Sequence, residues 1–405
     1  MSLIVQKYGG SSLATAELIK HVAERIASTK ETGNQIVVIV SAMGDTTDEL
    51  INLASRVSRN PSSRELDVLL STGEIVSSTL LTLALHDMGY KAISLSGAQA
   101  GIKTDAVYSR ARILNVDSKR VVKELERGNI VIVAGFQGVT QEMDVTTLGR
   151  GGSDTTAVAL AASLNAEVCQ IYTDVEGVYT ADPRVVLEAR RLPRISYEEM
   201  LEMAIYGAKV IHPRAVELGE LFKIPIFVAS SFTDKPGTLI YGEAAMELIN
   251  KVKSVTYDLD VAKITIIGVP DRPGIAAAIF GALAENGISV DTIVQNASIQ
   301  NITDLTFTIN RGILPQAMEV VAPICELIKA KDCIGDSQLG KVSIVGTGMQ
   351  NTPGYASRMF SALAERGINI QLITTSDIRI TCIIAEDRIE DAVRALHQTF
   401  ELEIE

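Results

Sequence analysis

The chain contains no tryptophan, and aromatic residues make up only 4% of its 405 positions. Few rings are therefore available on which nucleic-acid bases could stack. A basic balance is missing too: 37 lysines and arginines stand against 49 aspartates and glutamates, for a formal net charge of −12. Polyanion binding needs basic patches that displace counterions, so nucleic acid is excluded as the main partner and a small anionic ligand held on local basic loops is favoured. No unbroken apolar run reaches the roughly eighteen residues of a membrane span, and the N-terminus lacks the basic, apolar and small-residue pattern of a secretory leader. These absences predict a cytoplasmic protein with no membrane segment. Cysteine is sparse: Cys169, Cys325, Cys333 and Cys382 are scattered without a Cys-x-x-Cys pair, which predicts buried free thiols. The histidines, His21, His86, His212 and His397, show no metal-ligand spacing.

What is present begins with Leu148-Gly149-Arg150-Gly151-Gly152-Ser153-Asp154, set directly before the helical pattern Thr155 to Leu164. Glycines let backbone amides approach an anion, the following helix adds the positive end of its dipole, and Arg150 can grip a carboxylate with two parallel hydrogen bonds. The run reads as an anion cradle, although a glycine-rich turn before a helix is also an ordinary tight connection. A second segment, Lys7-Tyr8-Gly9-Gly10-Ser11-Ser12, follows the apolar run Leu3 to Val5 and precedes a helical pattern from Ala14 to Ala27. This order of strand, glycine turn and helix suits phosphate, with a lysine at its mouth, but the P-loop spacing is absent because the lysine precedes the glycines. A third, Thr173 to Arg184, leaves the apolar run Val168 to Tyr172 and gathers an aromatic ring, carboxylates and an arginine in one turn-rich loop.

Short apolar runs at Leu3 to Val5, Ile36 to Val40, Ala92 to Leu95, Ile130 to Ala134, Val168 to Tyr172 and Ile224 to Val228 alternate with helical patterns such as Ser63 to His86 and Ser118 to Arg127. That alternation predicts a doubly wound α/β domain with a mostly parallel sheet covered on both faces, extending to about Tyr241. A helical connector is expected over Glu243 to Lys253. Beyond it the chain repeats itself: Lys263-Ile264-Thr265-Ile266-Ile267-Gly268 recurs as Lys341-Val342-Ser343-Ile344-Val345-Gly346, and Phe280 to Ile288 recurs as Phe360 to Ile368. Each copy reads as strand, Pro-Gly turn (Pro273-Gly274, Pro353-Gly354), amphipathic helix, glycine stop and strand. Two copies make paired small modules, suited to sensing a ligand or to dimerisation.

The motifs at Lys7 to Ser12, Ser71-Thr72-Gly73-Glu74, Gly149 to Asp154, Thr173 to Arg184 and Tyr206-Gly207-Ala208-Lys209-Val210-Ile211-His212-Pro213 follow one another in the order seen in aspartate kinases. Over nearly its whole length the chain resembles that family, whose members join an amino-acid kinase fold to two C-terminal ferredoxin-like ACT domains. The resemblance implies a catalytic domain over residues 1–245, a connector over 246–262, and ACT domains over 263–335 and 341–405. It implies transfer of the γ-phosphoryl group of ATP to the side-chain carboxylate of L-aspartate, the first step toward lysine, threonine and methionine. Homo-oligomers paired through the ACT domains are expected, and some relatives make a separate regulatory subunit from an internal start near the position of Met246. No extension of dehydrogenase size follows Glu405, so no fusion to homoserine dehydrogenase is expected. Kinases of glutamate, N-acetylglutamate or UMP, and a sensor with an inactive kinase domain, are the alternatives.

Residue by residue, the resemblance assigns Lys7, Arg150 and Asp154 to catalysis, and Ser41, Thr72, Glu74, Arg150, Gly151 and Ser153 to aspartate. It assigns Lys7, Gly9, Gly10, Thr173, Asp174, Tyr179, Asp182, Arg184 and Lys209 to ATP. Mg²⁺ is expected to bridge phosphate oxygens with no direct protein ligand, supported through water by Asp154 or Asp174. Lysine, threonine or both are the implied effectors, with Asp271, Gly274, Ile275, Gln295 and Asn296 in one module and Asn369 and Ile370 in the other as the residues that would hold them. His212 is expected to be structural. The sequence departs from many relatives at Tyr8 and Ser11, where Phe and Thr are usual, and at Asp377, where Glu is usual.

Overall fold

The computed structural model describes residues 2–242, 252–296, 301–349 and 352–404. The expected helical connector and Met246 lie largely or wholly outside them. The chain divides into two units, Met1–Tyr179 with Arg191–Met246, and Thr180–Arg190 with Glu247–Glu405.

The first unit starts with β1 (Leu3–Tyr8), α1 (Ala16–Glu31), β2 (Gln35–Val40), α2 (Thr46–Val57) and α3 (Ser63–Asp87). It continues through β3 (Ala92–Leu95), β4 (Ile102–Thr104), β5 (Ile113–Val116), α4 (Lys119–Glu126), β6 (Ile130–Ala134), β7 (Gln137–Val139) and β8 (Val145–Thr147). It closes with α5 (Gly152–Ser163), β9 (Val168–Thr173), β10 (Arg194–Ser196), α6 (Tyr197–Ile205), α7 (Pro213–Phe222), β11 (Ile226–Ser230) and β12 (Thr238–Tyr241). Among the described residues one sheet has the order β10-β12-β11-β9-β1-β2-β6-β3, with every neighbouring pair parallel except β11 and β12. β2 and β6 are almost entirely apolar and buried, the pattern of strands covered on both faces. β1 lies between β2 and β9, so the winding reverses beside it. Such a switch point opens a crevice at the carboxyl ends of the strands, where Gly9, Ser41 and Asp174 emerge.

α3 is long and apolar enough to cross a membrane by length and composition alone, with a mean hydropathy of 1.6, but half of that stretch is buried in the unit. Its inner face carries Asp67, Glu74, Ser77 and Ser78 among apolar neighbours, which marks it as a core helix. β11 begins at Ile226 rather than Ile224, because the Ile224 amide still closes the end of α7 on the Gly219 carbonyl.

The second unit contains β13 (Ser254–Pro270), α8 (Ile275–Glu285), β14 (Ile293–Gln295), β15 (Ile302–Ile309), α9 (Leu314–Ile328) and β16 (Asp332–Val345). α10 (Tyr355–Glu365), β17 (Leu372–Ser376), β18 (Arg379–Ala385) and α11 (Ile389–Thr399) complete it. Its sheet is antiparallel, in the order β14-β15-β13-β16-β18-β17 among the described residues. This is the repeat in three dimensions, but the module boundaries differ from those expected. Ser254–Asp258 pairs with Lys341–Val345, while Lys263–Ile267 pairs with Asp332–Asp336. A strand assigned to the connector thus completes the second module's sheet, and the first module is inserted within the second. Both long strands run through both modules, which a repeat search on contiguous segments does not reveal. Thr180–Arg190 joins this unit as well: Ala181 and Val186 pack in one apolar cluster with Val255, Val342, Met359 and Leu396.

Candidate active site

Lys7 is the fifth residue of β1, yet it is buried among apolar neighbours, so its ammonium needs a partner. Asp154, in the first turn of α5, supplies it: Lys7 Nζ lies 2.6 Å from Asp154 Oδ1, an ion pair outside hydrogen-bond alignment. Asp154 Oδ2 accepts the His212 backbone N–H at 3.3 Å. The Lys7 ammonium also lies close to Gly9, at the mouth of the crevice. The Gly9 amide is not available to a phosphate, however, because it donates to the Tyr172 carbonyl at 3.2 Å; the register of β1 against β9 brings those residues together. Gly10 opens a short 3-10 turn, Gly10–Leu13.

Ser41, just after β2, shares a hydrogen bond of 2.9 Å with Ser153. Its carbonyl accepts the Ser77 hydroxyl of α3 at 2.7 Å. One helical turn before Ser77, Glu74 is buried; its Oε1 accepts the Ala42 N–H at 3.2 Å, while Oε2 has no hydrogen-bond partner among the described residues. Burial pushes the Glu74 carboxyl up from 4.5 to about 8. A buried, half-satisfied carboxyl is suited to receive an ammonium. Thr72 does not join this group. Two residues from Glu74 is about 200° of helical rotation, which puts Thr72 on the exposed face with its hydroxyl on the Leu69 carbonyl at 2.7 Å.

α5 starts at Gly152, three residues earlier than the apolar pattern suggests, because Gly151 acts as its N-cap at φ 67°. A β-carbon at Gly151 would come within 2.2 Å of the His212 ring. His212 in turn caps α7, its Nδ1 accepting the Arg214 N–H at 3.3 Å ahead of Pro213. It is therefore a packing and capping residue. Gly151→Ala is expected to combine left-handed strain with this clash, costing ~2 kcal/mol or more; thermal unfolding checks it. Arg150 itself is exposed at the tip of the loop.

Thr173, Asp174 and Tyr179 belong to the first unit: Thr173 Oγ1 donates to Asp174 Oδ1 at 3.1 Å, and Tyr179 donates to Glu176 at 3.0 Å. Asp182 and Arg184 fall in the second unit and pair with each other at 2.8 Å, with Tyr257 donating to Asp182 at 3.2 Å. Lys209 is exposed between α6 and α7. No group of three or more His, Cys, Asp or Glu side chains among the described residues is placed to hold a metal ion directly. Cys169, Cys325 and Cys382 are buried and Cys333 partly so, all as free thiols.

In the second unit a cavity of about 360 Å³ is lined by Asp271, Gly274, Ile275 and Gln295 together with Arg272 and Leu305. Asn296 is outside this lining, its carbonyl accepting the Thr303 hydroxyl at 2.8 Å. Asn369 is exposed after α10, and Ile370 packs on the second module's core. Sequence reasoning missed Asp67 and Arg214, which bond to the base of the Arg150 loop from α3 and α7; one local cue was that Arg214 follows the His212-Pro213 pair.

Residues 2–230 match the amino acid kinase family, and residues 263–326 and 342–400 each match an ACT domain. The chain belongs to the amino acid kinase family and carries a regulatory ACT pair. Within that family it is similar to aspartokinases. It is 50% identical to the aspartate kinase Ask_LysC of Stutzerimonas stutzeri over 404 residues, covering 100% of this chain and 98% of that one. Among solved structures it resembles E. coli aspartokinase III in complex with aspartate and ADP (R-state), with a TM-score of 0.83 at 25% identity, covering 98% of this chain and 100% of that one. The same enzyme in complex with lysine and aspartate (T-state) matches with a TM-score of 0.76 at 25% identity over 98% and 99% of the two chains.

Proposed function

We propose that this chain is an aspartate kinase, moving the γ-phosphoryl group of ATP onto the side-chain carboxylate of L-aspartate to give 4-phospho-L-aspartate, in the cytoplasm and at the start of lysine, threonine and methionine synthesis. The observation that carries this reading is the buried Lys7–Asp154 pair at the switch point, in the same unit as the buried carboxyl of Glu74, one of whose oxygens has no hydrogen-bond partner among the described residues. Two anions have to meet, and the acceptor carboxylate is its own nucleophile, so the protein's task is alignment and charge neutralisation. Lys7 is held in place by Asp154 before any substrate arrives, so its charge reaches the transferring oxygens without reorganisation. Glu74 Oε2 takes the substrate ammonium, Arg150 its α-carboxylate, and Ser41 and Ser153 its remaining polar atoms. Thr173, Asp174, Tyr179 and Lys209 serve the nucleotide.

Mg²⁺, when bound, would neutralise phosphate charge as an ion held by phosphate oxygens and water, with Asp154 or Asp174 supporting it through water. The test is acyl phosphate trapped as hydroxamate, with glutamate as control, in wild type, Lys7→Ala and Arg150→Ala. Aspartate-specific product lost in both variants supports the reading; no product from folded, Mg²⁺-supplied wild type points to an inactive sensor or another acceptor.

The cavity at Asp271 to Ile275 supports feedback by lysine, threonine or both, through an oligomer paired at the ACT modules. An internal start at Met246 would add a separate regulatory subunit. An effector acts only through its different affinity for active and inactive arrangements. Asp271→Ala, which removes a charge-assisted contact to the effector ammonium, is expected to raise the inhibitory concentration about tenfold or more relative to the variant's own uninhibited rate. Titration of initial rates with lysine, threonine and their mixture checks this.

A further inference from the structure

We propose that Asp67 is the positioning residue that holds the Arg150 loop against α3, and thereby sets the spacing between the grips for the substrate's two α-groups; this rests on the roles given above to Arg150 and Glu74. Asp67 is completely buried. Its carboxylate is surrounded by neutral donors: the Ser109 N–H reaches both oxygens at 3.0 and 2.9 Å, and the Ser109 hydroxyl reaches Oδ1 at 3.2 Å. The Thr147 N–H and hydroxyl each donate at 2.8 Å. A carboxylate buried without a cation is costly to keep unless its hydrogen bonds fix something that matters.

What they fix is the root of the loop. Thr147 is the last residue of β8, three residues before Arg150. Ser109 sits at φ 67°, a left-handed conformation that a serine holds only when its surroundings impose it. Its carbonyl lies so near Gly149 that a β-carbon there would approach to 3.0 Å. From the other side, Arg214 donates to the Leu148 carbonyl at 2.8 Å and to the Ala111 carbonyl at 3.0 Å. The loop base is thus held by a carboxylate from α3 and a guanidinium from α7. Glu74 is seven residues beyond Asp67, about two turns and ~10 Å along the same buried face of α3. One rigid helix therefore carries the ammonium grip and the brace of the carboxylate grip.

Asp67→Asn keeps the size but turns one acceptor oxygen into a donor facing other donors. It is expected to raise KM for aspartate at least tenfold while KM for ATP stays within about twofold. That penalty should vanish in an Arg150→Ala background, where there is no guanidinium left to position. Thr147→Val, which removes a single hydroxyl donor, should shift KM for aspartate the same way by less, and it decides the matter if Asp67→Asn does not fold. Equal changes in both KM values, a full additional loss on top of Arg150→Ala, or unchanged KM in folded variants would overturn the proposal. Failure of the functional reading is seen separately, as wild type without aspartate-dependent product, and it removes this inference with it.

Discussion

Lys7→Ala is expected to lower kcat by about 10³-fold, the upper end of what one donor aimed at developing charge contributes. The side chain has a second, structural role that complicates a simple activity assay. Among the described residues Asp154 Oδ1 has no hydrogen bond, and the Lys7 ammonium lies beside it in a place where both side chains are 10% exposed. Removing one partner of such a pair leaves a buried charge uncompensated, at a cost of about 3 kcal/mol. The double variant Lys7→Ala/Asp154→Asn separates the effects. With the stranded charge neutralised, thermal stability should return most of the way to wild type while phosphoryl transfer stays lost. If activity returned with stability, Lys7 would be a structural counter-ion only; a Lys7→Ala enzyme slowed merely a few-fold would remove it from the chemistry altogether.

The parts of this site that were legible in the sequence are those whose information is local. The glycine run after the apolar strand marked the end of β1, and the run before Thr155 came within three residues of the start of α5, because turns and helix N-termini need residues of that kind within a few positions. The apolar runs of β2 and β6 placed the parallel sheet for the same reason. What escaped depends on partners distant in sequence. The Gly9 amide looked free until the register of β1 against β9 gave it the Tyr172 carbonyl. Thr72 looked equivalent to Glu74 within one motif, yet helical rotation turns it outward. Asp67 and Arg214 look like ordinary surface charges in one dimension, and only the fold brings them to Thr147 and Leu148. The interleaved modules escaped because Ser254–Asp258 lies before the first repeat while pairing in the second.

Glu74→Gln is expected to make the protein more stable and the enzyme worse, with opposite dependence on pH. An unfolded chain ionises this carboxyl near its ordinary 4.5, whereas burial in the native state holds it at about 8. Between those values the native state keeps a proton that the unfolded state has released, so the group's contribution to stability is fully present below the lower value and is lost as pH rises toward the upper one. Glutamine carries no such dependence and keeps an oxygen for the Ala42 N–H. The melting temperature of Glu74→Gln should therefore match wild type near pH 5 and exceed it increasingly up to pH 8, each pH unit in that interval being worth at most ~1.4 kcal/mol. Function runs the other way. In the proposed role the substrate ammonium pairs with the ionised form, so KM for aspartate in wild type should fall as pH rises from 6 to 8, by up to about tenfold per unit, while KM for ATP does not follow it. Glu74→Gln should lose that dependence together with about 10²-fold in kcat/KM for aspartate, the loss from removing one partner of a desolvated charge pair. A KM for aspartate that is flat over this range, or a glutamine variant less stable than wild type at pH 8, would mean that Glu74 is a structural acceptor for Ala42 and the ammonium binds elsewhere. Under the proposed role the stability given up at this carboxyl serves binding, since Oε2, without a hydrogen-bond partner among the described residues, is the atom offered to the substrate ammonium.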